Sequence, residues 1–184
     1  MQTEVVISGF GGQGALFAGQ VLAHAALHQG MEVSWLPSYG PEMRGGTAHC
    51  IVIVSPEPIA SPIVRNPQAA VVMNNPSMVR YQPLVRPGGL LVVNASLVTE
   101  PAARTDVRVL PVPASEIADE LGELRLLNVV LLGALLAALP IVHRDSISSA
   151  LQAHLPERHR HLWEKNLQAF DRGASFPARI IEVA

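Results

Sequence analysis

A short apolar run that breaks into glycines and reopens with helical spacing leaves a chain few ways to fold. Val5 to Ser8 is such a run, and Gly9-Phe10-Gly11-Gly12-Gln13-Gly14 is the break. Ala15, Ala18, Leu22, Ala25 and Ala26 then recur on one helix face until Gly30 stops them. The pattern predicts a buried strand, a tight turn and a helix from about Gly12 to Gln29. Opening a chain this way commits it to an α/β layout, because the strand needs helices to cover it.

The rest of the sequence keeps the alternation. Strands are expected at Glu32 to Leu36, where Pro37 ends the run, and at Ala48 to Val54. Further strands are expected at Ala69 to Met73, at Leu90 to Val93, and last at Val107 to Leu110. Helices are expected over Pro76 to Leu84 and from a Ser115 cap to about Leu121. Three more are expected over Asn128 to Leu139, Arg144 to His154 and His161 to Arg172. Pro56, Pro58 and Pro62 mark a rigid connection. The expectation is a single Rossmann-like α/β domain over residues 1–184, with a mostly parallel sheet and helices on both faces.

Composition narrows the classes. Of 184 residues, 49% are apolar but only 4% aromatic, so the core is built from Ala, Val, Leu and Ile. A formal charge of -2 without a Lys/Arg run argues against nucleic acid as a partner. One cysteine, Cys50, rules out an internal disulfide and a cysteine-ligated iron–sulfur cluster held by this chain, and suits a reducing cytoplasmic setting. Met1-Gln2-Thr3-Glu4 carries no basic signal-peptide region. The most apolar stretch, Leu126 to Val142, is short for a membrane span and reads as a buried helix.

The glycine turn suits phosphate. Glycines allow close backbone approach, and the helix behind them adds a favourable dipole. An NAD site would also need an acid at the end of the second strand, and Glu32 lies at its beginning. The alternative is that the glycines only let helix and sheet pack. A second candidate segment, Ser38 to Gly46, reads as a loop past that strand. It offers the Ser38 hydroxyl, the Tyr39 phenol, the Glu42 carboxylate and the Arg44 guanidinium, with Gly45 and Gly46 behind them. The candidate binding residues are therefore Gly9, Gly11, Gly12, Gln13, Gly14, Ser38, Tyr39, Glu42, Arg44, Gly45 and Gly46. The His24/His28 pair lacks further metal ligands, His154, His159 and His161 read as surface residues, and Cys50 reads as a buried inert thiol.

Gly9-Phe10-Gly11-Gly12-Gln13-Gly14 together with Ser38-Tyr39-Gly40-Pro41-Glu42-Met43-Arg44-Gly45-Gly46 resembles the gamma subunit of 2-oxoacid:ferredoxin oxidoreductases. Asn128, Leu132-Gly133-Ala134, Asn166, Ala169-Phe170 and Gly173 extend the likeness along the whole chain. The resemblance implies a complex that oxidatively decarboxylates a 2-oxoacid with coenzyme A, giving acyl-CoA, carbon dioxide and reduced ferredoxin. It implies alpha and beta partner subunits, and in some complexes a ferredoxin-like delta subunit. Thiamine diphosphate, Mg2+ and iron–sulfur clusters would reside in those partners, and this chain would pack on them and help position coenzyme A. No catalytic residue is assigned, and a homodimer is open to the isolated chain. The competing readings are a stand-alone nucleotide- or flavin-binding protein and a purely structural docking subunit.

Overall fold

The computed structural model describes residues 2–40, 46–155, 157–177 and 181–182. The sheet is ordered β2-β3-β1-β4-β5-β6-β7. Its strands are β1 (Thr3–Phe10), β2 (Glu32–Tyr39), β3 (Thr47–Ser55), β4 (Ala69–Val72), β5 (Leu90–Asn94), β6 (Arg108–Val112) and β7 (Ile181–Glu182). The helices are α1 (Ala15–His28), α2 (Asn75–Tyr81), α3 (Ala114–Glu120), α4 (Leu127–Ala138), α5 (Arg144–His154) and α6 (Trp163–Ala174).

Strands β1, β4, β5 and β6 form a parallel core. Strand β3 opposes both β1 and β2, so β2 points the same way as the core. The few residues between β2 and β3 are too short a connection for a parallel crossover, which explains the hairpin. Alternation along β1 divides the core. Val5 and Ile7 face the cluster beneath α1, α3, α4, α5 and α6, while Val6 faces a smaller cluster with Met78 and Tyr81 of α2. Helices cover both faces, as the sequence pattern predicts, but unequally.

Three boundaries differ from expectation. Pro37 lies inside β2, opposite Cys50, because β2 is an edge strand and tolerates a residue without an N–H. Ser115 does not cap α3, which starts at Ala114 behind Pro113; its Oγ instead accepts from Asn94 Nδ2 at 3.0 Å. Strand β6 is not the last, since Ile181 and Glu182 pair antiparallel with its start.

Helix α4 shows why the apolar stretch is no membrane span. Every residue from Leu127 to Leu136 is buried, yet 12 residues rise only ~18 Å against the ~30 Å of a bilayer core. Among the described residues, no helix is long and apolar enough to cross a membrane. Helices α4 and α6 meet backbone to backbone at Gly133 and Gly173. A Cβ on Gly133 would strike the Phe170 carbonyl, and one on Gly173 the Val130 carbonyl.

Helices α1 and α5 meet through imidazoles. The His24 and His154 rings stack with centroids 3.5 Å apart, so His154 is not the free surface residue its sequence context suggests. Burial holds both rings below their ordinary 6.5; the charges of His154 and His28 lower His24 further, and that of His28 lowers His154.

Two outcomes follow. Gly133→Ala or Gly173→Ala forces helix backbones apart and lowers unfolding stability by about 2–3 kcal/mol in denaturant titration, near the top of the overpacking range. With His24 and His154 held below 6.5, the unfolded chain binds more protons as pH falls through that value. Stability is therefore full above about pH 6.5 and declines below it. The decline is shallower in His154→Gln, as urea unfolding between pH 7.5 and 5.5 would read.

Candidate functional site

The C-terminal end of β1 is the topological switch point. From it the chain turns through α1 toward β2 on one side, while β4 lies on the other. Ligands of open α/β sheets bind at such crevices. The glycine turn sits there. Gly12 has φ +101° and Gly14 φ +78°, backbone conformations that L side chains rarely adopt. A side chain on Gly14 would also collide with the Asn128 amide.

Side chains hold the turn from two directions. Gln13 Oε1 accepts from the Phe10 N–H at 2.7 Å and from Asn74 Nδ2 at 3.0 Å, fastening the turn to the β4–α2 junction. Asn128 Nδ2 donates to the Gly14 carbonyl at 3.0 Å, from inside the apolar helix α4. Asn74 also caps α2 by accepting the Ser77 N–H at 2.9 Å. Asn74 has no sequence signal as a site residue, because its contact with Gln13 spans 61 positions.

The turn's own donors are unequal. The Gly11 N–H goes to the Gly46 carbonyl at 2.9 Å, and the Gln13 N–H to the Phe10 carbonyl at 3.0 Å. Within the chain these two are spent on structure. The Gly12 and Gly14 N–H groups have no acceptor among the described residues. Gly14 caps α1 without a side chain, and the first turn carries no acidic residue. An uncapped helix start of this kind attracts an anion.

The second segment does reach the first. The Gly11–Gly46 hydrogen bond joins them, and the Gly40 N–H donates to the Thr47 carbonyl at 3.2 Å. Ser38 and Tyr39 are not loop residues, as expected from sequence, but the last two of β2. Strand alternation separates them. Tyr39, 72% exposed, lines a cleft of about 480 Å³ with Phe10, Gly12, Phe17 and Gly46, whereas Ser38 does not. Gly9 belongs to β1, where a Cβ would press on Gln13 Oε1 at 2.7 Å. Glu42, Arg44 and Gly45 lie outside the described residues.

A smaller cavity of about 190 Å³ shares Gly12, Gly14 and Phe17 with that cleft and is lined further by Glu123, Arg125, Asn128, His159 and Asn166. The remaining chemistry-bearing groups are inert or structural. Burial pushes the Cys50 thiol up to about 12, and its Sγ donates to the Ala15 carbonyl at 3.4 Å. Among the described residues no cluster of three His, Cys, Asp or Glu is placed to hold a metal. No acid stands at the described C-terminal end of β2, where a dinucleotide ribose would need one.

Comparison with known proteins gives a consistent picture. Residues 4–176 match the family described as pyruvate ferredoxin/flavodoxin oxidoreductase. The 2-oxoglutarate synthase subunit KorC of Methanocaldococcus jannaschii is 37% identical over 176 residues, covering 94% of this chain and 92% of that protein. The ketoisovalerate oxidoreductase subunit VorA of Methanothermobacter thermautotrophicus is 36% identical over 182 residues. That match takes in 98% of this chain but only 38% of the relative's length. The solved gamma subunit of a keto/oxoacid ferredoxin oxidoreductase from Geobacter sulfurreducens has the same fold. Its TM-score is 0.83 at 26% identity, covering 97% of this chain and 99% of that one.

Removing the Gln13 side chain leaves the buried Asn74 amide and the Phe10 N–H without their shared acceptor. Gln13→Ala should cost about 1–3 kcal/mol by thermal unfolding, whereas Gln13→Glu, which keeps an acceptor there, should cost less.

Proposed function

We propose, from the premise that this chain belongs to the pyruvate ferredoxin/flavodoxin oxidoreductase family, that it is the gamma component of a 2-oxoacid:ferredoxin oxidoreductase. In this reading residues 1–184 form one gamma-type domain that is inactive alone. The complex converts a 2-oxoacid, coenzyme A and oxidised ferredoxin to acyl-CoA, carbon dioxide and reduced ferredoxin. Alpha and beta subunits, with a delta subunit in some assemblies, hold thiamine diphosphate, Mg2+ and the iron–sulfur clusters. Thiamine diphosphate supplies the carbanion chemistry there. With one buried cysteine, this chain has no thiolate set for a cluster. Its setting is the reducing cytoplasm.

The observation that carries a ligand role is the start of α1. Gly12 and Gly14 present N–H groups without acceptors among the described residues, at the switch point and beside a cleft large enough for part of a cofactor. The ligand that fits both the family and this geometry is coenzyme A, its phosphates lying over Gly12, Gly14 and the first turn of α1. Arg44, in the segment joined to the turn through Gly46, supplies a guanidinium for the same phosphates. A stand-alone dinucleotide enzyme is the poorer reading, because β2 ends in Ser38-Tyr39 and offers no ribose acid.

The test is reconstitution of the complex and assay of 2-oxoacid- and coenzyme A-dependent reduction of a viologen dye under anaerobic conditions. A Cβ on Gly12 meets nothing within 4 Å, so Gly12→Ala perturbs backbone conformation rather than packing. It should raise the coenzyme A KM roughly tenfold, as the shifted backbone turns the Gly12 N–H away from the phosphates. The KM for the 2-oxoacid and subunit assembly stay unchanged. Arg44→Ala should act in the same direction. An unchanged coenzyme A KM in both variants, with assembly intact, would refute the ligand role.

A further inference from the structure

The cleft of about 480 Å³ beside the glycine turn is lined by three aromatic rings, which an anion site alone does not need. Phe10 reaches it from the end of β1, Tyr39 from the end of β2 and Phe17 from the first turn of α1. The whole chain has only four Phe, two Tyr and two Trp. A chain that fills its core with Ala, Val, Leu and Ile thus places three of these rings on one open cleft. Tyr39 is 72% exposed and Phe10 36%. Ring surface left in water adds nothing to folding, so its placement asks for another cause.

The three rings do not close on one another. Among the described residues the paired rings are His24 with His154, His49 with Tyr81 and His159 with His161. Phe10, Phe17 and Tyr39 line the cleft without a ring partner. The space they enclose falls within the range of small-ligand pockets, about 300–1,000 Å³. None of the described residues lining it is Lys, Arg, His, Asp or Glu, and the side-chain hydroxyls come from Tyr39 and Thr47 alone. On the same cleft stand Gly12 and Gly14, whose N–H groups have no acceptor among the described residues. A ligand that matches this order is anionic at one end and planar next to it. An amide-bearing chain such as pantetheine fits less well. It needs donors and acceptors along its length, and the side chains here offer two hydroxyls.

We infer that the cleft is a stacking platform for the purine ring of a nucleotide whose phosphates lie on Gly12 and Gly14, with Tyr39 as the side chain that sets its affinity. The inference rests on the phosphate reading of the glycine turn and names the part of coenzyme A that fills the cleft. Recognition is by the face of the ring, since no charged or amide side chain lines the cleft to read its edge. A pyrimidine, with its smaller face, binds more weakly. This chain then holds the nucleotide end of coenzyme A and leaves the pantetheine arm, with its thiol, to reach a partner subunit. Tyr39 is a specificity residue and touches no reacting atom.

The experiment uses the reconstituted complex with coenzyme A as the varied substrate. ADP, UDP, phosphopantetheine and inorganic pyrophosphate are the competitors. ADP is expected to compete with coenzyme A, and UDP and phosphopantetheine to compete about tenfold more weakly. Tyr39→Ala raises both the coenzyme A KM and the ADP inhibition constant about tenfold. It leaves kcat, the 2-oxoacid KM and the pyrophosphate inhibition constant unchanged, and Tyr39→Phe behaves as the unaltered chain. Where Tyr39→Ala lowers the melting temperature of the isolated chain, Tyr39→Leu replaces it and is judged in the same way. An ADP inhibition constant unmoved by Tyr39→Ala, with pyrophosphate still competing, would place the base elsewhere and overturn the inference while the phosphate reading stands. Phosphopantetheine competing as well as ADP would put the arm in the cleft and overturn it too. A folded Tyr39→Ala chain that no longer assembles would make the ring a subunit contact instead of a base platform. If neither ADP nor pyrophosphate competes, the phosphate reading is lost and the platform with it.

Discussion

The hydrogen bond from Asn128 to the Gly14 carbonyl is the contact on which the site's geometry depends. It places the one polar side chain of an otherwise apolar buried helix against the residue that starts α1. For this the backbone must come close, and only glycine at 14 leaves the room. The same carbonyl also accepts the first helical N–H, from Ala18 at 3.0 Å. Helix α1 is thus started and aimed by a residue 114 positions away. Helix α4 can bring that amide in because Gly133 lets α6 pack directly on its far side. The two close approaches, at Gly14 and at Gly133 with Gly173, locate one stack of helices against the sheet.

The consequence for chemistry is preorganisation. Gln13 and Asn128 satisfy the turn's internal demands, and Gly46 takes the Gly11 N–H. Among the described residues, the turn's N–H groups left without an acceptor are those of Gly12 and Gly14, at the uncapped start of α1. An anion arriving there meets donors already oriented, and little ordering entropy is lost on binding. The absence of an acid in the first turn matters equally, since a carboxylate there would compete with the ligand for the helix dipole.

Much of this was readable in the residues because it is local. Val5 to Ser8 followed by spaced glycines and a helical face can be read within 25 positions, and so can the burial of Ala15, Ala18, Leu22, Ala25 and Ala26. What was not readable is what depends on partners far along the chain. Pro37 argues for a strand end until β2 is known to be an edge. Ser115 fits a cap until Asn94, 21 positions earlier, occupies its hydroxyl. His154 looks exposed until α5 brings it onto His24. The direction of β3 needed only the length of the β2–β3 connection, a signal present in the sequence and underweighted beside the pull of a parallel pattern.

The site divides along the same line. Sequence marks the glycines, because backbone freedom is written in residue type, but it does not tell which N–H groups point outward. Hydrogen bonding decides that, and it assigns Gly11 and Gln13 to structure. It also leaves Asn74 invisible, since its contact with Gln13 spans 61 positions. Asn128 shows how far a family likeness goes without geometry. The likeness marks it as a characteristic position, whereas its hydrogen bond to the Gly14 carbonyl gives it a physical task. An apolar side chain of similar volume would pack α4 at lower desolvation cost but would leave the Gly14 carbonyl without this donor. An amide kept at that cost, with its nitrogen tied to the turn, is explained by the aim it gives to α1.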